Sequence, residues 1–182
     1  MWMHLVNMVL EVLAGLVAGT CLLRFVMQWQ RISFQQPVGR FVFAVTDWLV
    51  LPLRKLIPAG SGWDLSSLLG AWLVKLAQFG LLWFLAGGRG ALGLLPLVSL
   101  VGLVQLIISC LTAVVLLHAV LSWIQPGEMN TVLLDRLCQP WLAPIRRVVP
   151  TVGGVDLSSL VLLVGLQIAS MVVGSLQTGW MH

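Results

Sequence analysis

Four stretches of the chain are apolar over lengths that match a lipid bilayer: about residues 4–27, 65–86, 94–124 and 157–178. A helix needs about 20 apolar residues to cross the hydrocarbon layer, so each stretch is expected to be a membrane span. The third is long for one crossing and is expected to tilt or to extend past the membrane. Gly87-Gly88-Arg89-Gly90, between the second and third, has the short, glycine-rich form of a turn joining antiparallel neighbours.

The other two connections carry a different pattern. Phe41 to Leu53 is apolar but too short to span, and Arg40, Asp47 and Arg54 recur at intervals of seven, a narrow polar stripe on one side of a helix. Pro52 is expected to end or kink that helix and to take Arg54 out of the stripe. In the second connection Val132, Leu133, Leu134, Leu137, Trp141 and Leu142 oppose Asp135, Arg136 and Gln139. Both segments, about 38–58 and 129–150, read as helices that lie in the membrane interface or dip into it and return. The alternative is a hairpin packed on the ends of the spans.

Composition fixes the class. Of 182 residues 59% are hydrophobic and 9% charged, with a mean hydropathy of +1.02, whereas a soluble domain carries about 25% charged residues. The net charge of +4 comes from Lys and Arg placed between apolar runs. That placement suits anionic headgroups and topology signals better than nucleic acid, so no nucleic-acid partner is expected. Arg24, Arg31, Arg40, Arg54 and Lys55 border or occupy the first long connection, and Arg136, Arg146 and Arg147 the second, while both terminal tails lack Lys and Arg. Both connections are therefore expected on the cytoplasmic side and both termini on the periplasmic side. The first segment lacks a basic n-region and an obvious cleavage site, so it is expected to stay in the protein. Cys21, Cys110 and Cys138 are scattered without a C-x-x-C and read as unpaired, mostly buried thiols.

The chain repeats itself. Pro52-Leu-Arg-Lys-Leu-Ile-Pro-Ala-Gly-Ser-Gly-Trp-Asp-Leu-Ser-Ser-Leu68 matches residues 144–160 at nine of seventeen positions, at a constant offset of 92. A two-residue gap extends the match to the first helices, pairing Arg24 with His118, Trp29 with Trp123 and Glu11 with Gln105, while Lys75 pairs with Gln167. The expected architecture is an all-α membrane protein of four spans in two parallel repeats, residues 1–90 and 91–182. Each repeat holds one interfacial or re-entrant segment, and both run in the same direction, which places their symmetry axis along the membrane normal.

Within the repeated motif, Asp64 with Ser66 and Ser67, and Asp156 with Ser158 and Ser159, stand where a span begins. Unpaired N–H groups in a first helical turn cost several kcal/mol each in lipid. An N-cap aspartate and nearby serines answer them, and the negative charge suits the helix dipole. Upstream, two prolines hold two cations on a stiff segment at headgroup depth: Arg54 and Lys55, then Arg146 and Arg147. They are expected to fix topology and pair with Asp64 or Asp156. The alternative is that they bind lipid phosphate or another anionic partner.

The twin Pro-x-[Arg/Lys]-[Arg/Lys]-x-x-Pro segments, each followed by glycine and Asp-Leu-Ser, resemble the YggT family of small bacterial membrane proteins. So does a first helix ending in tryptophan, here His118-Ala-Val-Leu-Ser122-Trp123. The family's arginine before Leu-Leu-Ser-Trp is kept as Arg24 and is His118 in the second copy. Its serine is kept as Ser122 and is Gln28 in the first. Its Thr-Glu-Pro is Thr46-Asp47-Trp48 here and Cys138-Gln139-Pro140 later. The resemblance implies a non-enzymatic protein of the bacterial inner membrane. Relatives are linked to osmotic stress and ion homeostasis, to cell division and, in plastids, to nucleoid distribution and haem attachment.

Glu11 and Lys75 are charges inside spans, where each costs about 2.5–3.5 kcal/mol at the centre. Counted from Arg24 and Asp64 they lie at similar depth, so a Glu11–Lys75 tie between antiparallel neighbours is expected, with conduction of an ion or proton as the alternative. Gln105 and Gln167 keep hydrogen bonding without charge. Small-residue faces at Ala14-Gly-Leu-Val-Ala18-Gly19, Gly165–Ala169 and Ser170–Gly174 suit close helix packing within the chain, or self-association into a homo-oligomer. His118 is a lone histidine at a membrane end, and no serine or cysteine has an evident base beside it; no cofactor, metal or catalytic role is expected. The expected function is an organising or assembly factor that engages other membrane proteins and anionic lipid. Its alternative is a channel or transporter component for osmotic or ion balance.

Overall fold

The computed structural model describes residues 2–30, 37–56, 64–85, 87–88, 92–124, 129–146 and 157–179. Among these the secondary structure is helical: α1 (Trp2–Trp29), α2 (Pro37–Leu56), α3 (Leu65–Leu85), a 3₁₀ turn (Leu92–Leu94), α4 (Leu95–Ile124), α5 (Met129–Arg146) and α6 (Leu157–Gly179). Four windows, Leu5–Trp29, Leu65–Leu85, Leu95–Leu121 and Ser158–Leu176, are long and apolar enough to cross a membrane. The chain is thus an all-α membrane protein built twice on one plan: long helix, amphipathic helix, long helix.

Hydrocarbon offers no hydrogen bonds, so hydroxyls in the spans turn back onto their own helix. Thr20 donates to the carbonyls of Leu16 and Val17 (2.9 and 2.8 Å), Ser99 to Pro96, Thr112 to Ile108 and Ser175 to Val172 (each 2.8 Å). α3 ends in a left-handed glycine pair, Gly87 (φ 80°) and Gly88 (φ 68°). Gly87 N–H donates to Phe84 O (3.1 Å) and Gly88 N–H to Trp83 O (3.0 Å), closing two carbonyls that the helix end leaves open.

Pro52, expected to end or kink α2, does not end it. The helix continues to Leu56, and α5 likewise runs through Pro140 and Pro144. Pro52 is exposed, and the turn beyond it is held from the inside. A Cβ built on Gly70 of α3 lies 3.6 Å from Leu53 Cδ1, and Arg54 is ion-paired to Asp64. Those contacts offset the one backbone bond that proline removes.

The helices form two compact units, Met1–Ile107 with Leu176–His182, and Ile108–Ser175; the division falls inside α4. In the first unit Cys21 Sγ, Leu49 Cδ2 and Leu53 Cδ1 all lie within 3.7 Å of where a Gly70 Cβ would sit, so α1, α2 and α3 converge there. Ala18, Cys21, Val42, Val50 and Ala71 are fully buried around that point. α4 begins against α3: a Cβ on Gly102 would lie 2.6 Å from Phe79 Cε2, a seat only glycine can take without displacing the ring. In the second unit Val115 of α4 meets Cys138 and Leu142 of α5, flanked by Val114, Leu162 and Leu163.

Candidate functional site: a buried ion-pair hub

At the end of the first unit where α1 finishes and α3 starts, four charged side chains alternate in sign. Arg24 of α1, 1% exposed, is the centre. Its Nη1 donates to Asp47 Oδ1 (2.7 Å) and to Thr46 Oγ1 (2.8 Å), both on α2. The guanidinium lies 4.3 Å from the centroid of the Phe43 ring, a cation–π contact, and Nε lies 3.9 Å from Asp64 Oδ2. Asp64 takes a second cation, Arg54, whose Nη2 donates to Oδ2 at 3.0 Å. The series Asp47–Arg24–Asp64–Arg54 sums to zero charge and ties α1, α2 and the head of α3 together.

Local sequence sets each member. Thr46 can face Arg24 because its hydroxyl hydrogen goes to Val42 O (2.7 Å) one turn back, which leaves the oxygen lone pairs for the guanidinium. Asp64 stands just before α3, where its main-chain carbonyl accepts from Ser67 N–H (3.0 Å) and its Oδ2 from the Ser67 hydroxyl (2.6 Å). The Asp64 carboxylate thus closes the helix start and anchors two arginines. Ser66 is buried beside it.

Burial decides the strength of each tie. The Arg24 and Asp64 side chains are 1% and 0% exposed, so their interaction is little screened and neither charge can return to water. Asp47 is 42% exposed at its side chain and Arg54 33%, which makes the outer two links weaker. Arg24 Nε, Arg54 Nε and Asp64 Oδ1 are buried without a hydrogen-bond partner among the described residues, where the network is tight in charge but incomplete in hydrogen bonds.

The other sequence-selected residues divide. Lys55 is exposed beside Arg54, and Arg146 is exposed in the last turn of α5. Arg147 and Asp156 lie outside the described residues; Ser158 and Ser159 are buried at the start of α6. Trp29 is exposed at the end of α1, and His118 is buried in α4. Ser122 and Trp123 fall in the last turn of α4, their side chains outside the described set. Among the described residues there is no disulfide: Cys21 and Cys138 are buried thiols and Cys110 a half-buried one.

The intramembrane polar residues depart from expectation. Lys75, buried in α3, donates to Gln78 Oε1 (2.9 Å) one turn along, and Glu11 is exposed on α1. Arg24 beside Asp64 and Cys21 against Gly70 make α1 and α3 antiparallel. Glu11 lies on the exposed side of α1 and Lys75 on the buried side of α3, so the two differ in facing. Gln105 is half-buried and Gln167 exposed.

The sequence pairs Arg54 with Asp64, and the structure holds that ion pair at 3.0 Å, but the sequence does not join Arg24 to them and misses Thr46, Phe43 and Gln78 as partners. The available signal for Thr46 and Asp47 was their place in the segment that resembles the family's Thr-Glu-Pro.

Comparison with known proteins fits this arrangement. The CCB3/YggT family model matches the chain twice, over residues 3–85 and 97–177. The chain is 32% identical to the uncharacterized protein in proC 3'region of Vibrio alginolyticus, over 96% of each chain. It is 33% identical to an uncharacterized protein of Pseudomonas aeruginosa over 91% of this chain and 86% of the other. It is 31% identical to the uncharacterized protein YggT of Escherichia coli K12 over 93% and 89%. No solved structure matches. The doubled match, in register with the repeated helix–amphipathic helix–helix plan, makes this chain a member of the CCB3/YggT family.

Proposed function

We propose that this protein is a non-enzymatic organising or assembly factor of the bacterial inner membrane, which engages anionic lipid and other membrane proteins through its interfacial helices. The observation that carries the reading is the three-sided character of α2. One face, Val42, Thr46 and Val50, is buried. A second, Phe41, Ala44, Trp48 and Leu51, is apolar and exposed, Trp48 by 66% and Phe41 by 62%. Arg40, Asp47 and Arg54 form the polar edge between them.

A helix lying in the interface needs this: water on the polar edge, acyl chains under the apolar face. The hub holds α2 at a fixed rotation, so Trp48 and Phe41 stay turned outward. Arg40 and Lys55, exposed near its two ends, suit anionic headgroups.

The test is a photoreactive amino acid at position 48, activated in intact membranes. The reading expects crosslinks to lipid and to a small, reproducible set of membrane proteins. Uniform labelling by soluble proteins overturns it. Lys55→Ala is expected to lower retention of cardiolipin in native mass spectrometry; unchanged retention counts against the lipid part. The competing reading is a channel or transporter component for ion balance, favoured by Lys75, a cation buried inside a span. A proteoliposome flux that Lys75→Gln abolishes without unfolding the protein supports that reading over the organising one.

A further inference from the structure

α6 carries a row of exposed side chains. Leu160, Val164, Gln167 and Met171 follow one another at spacings of four, three and four, and all four are exposed, the three apolar ones by more than half. Gly174, three residues on, continues the row, and a Cβ there would meet nothing within 4 Å. This is the a/d spacing by which two helices interlock side by side at a small crossing angle. Only 6% of the α6 window is buried, against 22% of α3.

Gln167 lies at the middle of the Ser158–Leu176 span, exposed, at the position where the first repeat buries Lys75. Acyl chains can satisfy neither the donors nor the acceptor of its amide, and a polar side chain at that depth draws a hydrogen-bonding partner from another helix.

We propose that the Leu160–Val164–Gln167–Met171 face of α6 is the interface through which two copies of this chain pair in the membrane. A second copy inserts with the same orientation, so a two-fold axis along the membrane normal brings each seam residue to its own counterpart at the same depth. A primary amide carries both donors and an acceptor, so Gln167 is self-complementary across that axis. A foreign helix meets the same requirement only if it carries a polar group at the same depth. The polar seam residue fixes the register, and the apolar ones supply the packing.

The experiment uses the full chain with Cys21, Cys110 and Cys138 replaced by alanine, and single cysteines returned at chosen positions in native membranes. Val164→Cys, Gln167→Cys and Met171→Cys are expected to oxidise to a dimer of twice the chain mass, and Leu163→Cys, on the packed side, is not. In liposomes, fluorescence energy transfer on dilution with lipid gives the dimer's dissociation constant. Gln167→Leu is expected to raise it on the order of 3- to 30-fold, and Gln167→Asn to restore most of the affinity. Gln167 is exposed, so Gln167→Leu is expected to fold normally, checked by circular dichroism. Absence of the dimer overturns the proposal, as does crosslinking of residue 167 to a different protein. A dissociation constant that Gln167→Leu leaves unchanged does the same.

Discussion

The two repeats solve the same packing problem with different chemistry. In the first, Arg24 reaches from α1 to Thr46 and Asp47 on α2. At the matched positions of the second stand His118, Cys138 and Gln139, and the core there is Val115, Cys138 and Leu142. The first repeat buries a cation and surrounds it with two carboxylates. The second places a thiol where the first has a hydroxyl and a buried imidazole where the first has a guanidinium, and its Gln139 is exposed. The span residues diverge the same way, with Lys75 buried and Gln167 exposed. Fold plan is therefore separable from polar content: the helix–amphipathic helix–helix unit tolerates either core. The charged version fixes the rotation of its amphipathic helix, because a guanidinium with two fixed acceptors on α2 accepts fewer alignments than an apolar contact does.

Breaking the charged core is expected to have the largest effect. Asp64→Ala leaves Arg24 buried without its inner counter-charge, and a loss of about 3–5 kcal/mol is expected, measured by reversible unfolding in bicelles. A loss near zero would mean that the hub is not structural. Next, His118→Arg places a cation in the second repeat where Gln139 stands in place of the Asp47 carboxylate, and is expected to cost about 2.5–3.5 kcal/mol. Adding Cys138→Thr and Gln139→Asp rebuilds the first repeat's set and is expected to recover at least half of that. No recovery would show that the α4–α5 approach differs from α1–α2.

Packing gives a smaller contrast. Gly102→Ala pushes Phe79 and is expected to cost about 1–3 kcal/mol, whereas Gly165→Ala meets nothing within 4 Å and is expected to stay within about 0.5 kcal/mol of the parent. Equal losses would sink the close α3–α4 seat. The smallest effect belongs to Asp47→Asn. This carboxylate is 42% exposed and screened, so a loss below about 1 kcal/mol is expected, shrinking further when salt is raised.

The spans and the repeat were legible because lipid demands long apolar helices and the repeated motif is polar enough to align. The hub was legible only in pieces. Asp64 and Arg54 stood out through the repeat and Arg24 through the family resemblance, but the contacts cross 22 and 23 residues between α1 and α2. They depend on how closely the two helices approach, which no local pattern records. Glu11 and Lys75 were paired by depth alone. In a span, lipid and a neighbouring helix are both apolar, so the distribution of hydrophobic residues does not say which side is packed. Glu11 proved to lie on the open side and Lys75 on the packed one. Pro52 does not end α2 for a related reason: the helix is stabilised past it by Leu53 against α3 and Arg54 on Asp64, which the local rule leaves out.

The central claim is that Arg24 and Asp64 act as one buried unit holding α2 and α3 to α1. A double-mutant cycle on reversible unfolding, with Arg24→Met, Asp64→Asn and the pair together, tests it most directly. The two side chains are expected to couple by about 1–3 kcal/mol, the double variant being less damaged than the sum of the singles. Strict additivity, within about 0.5 kcal/mol, would contradict the claim and leave two unrelated buried charges.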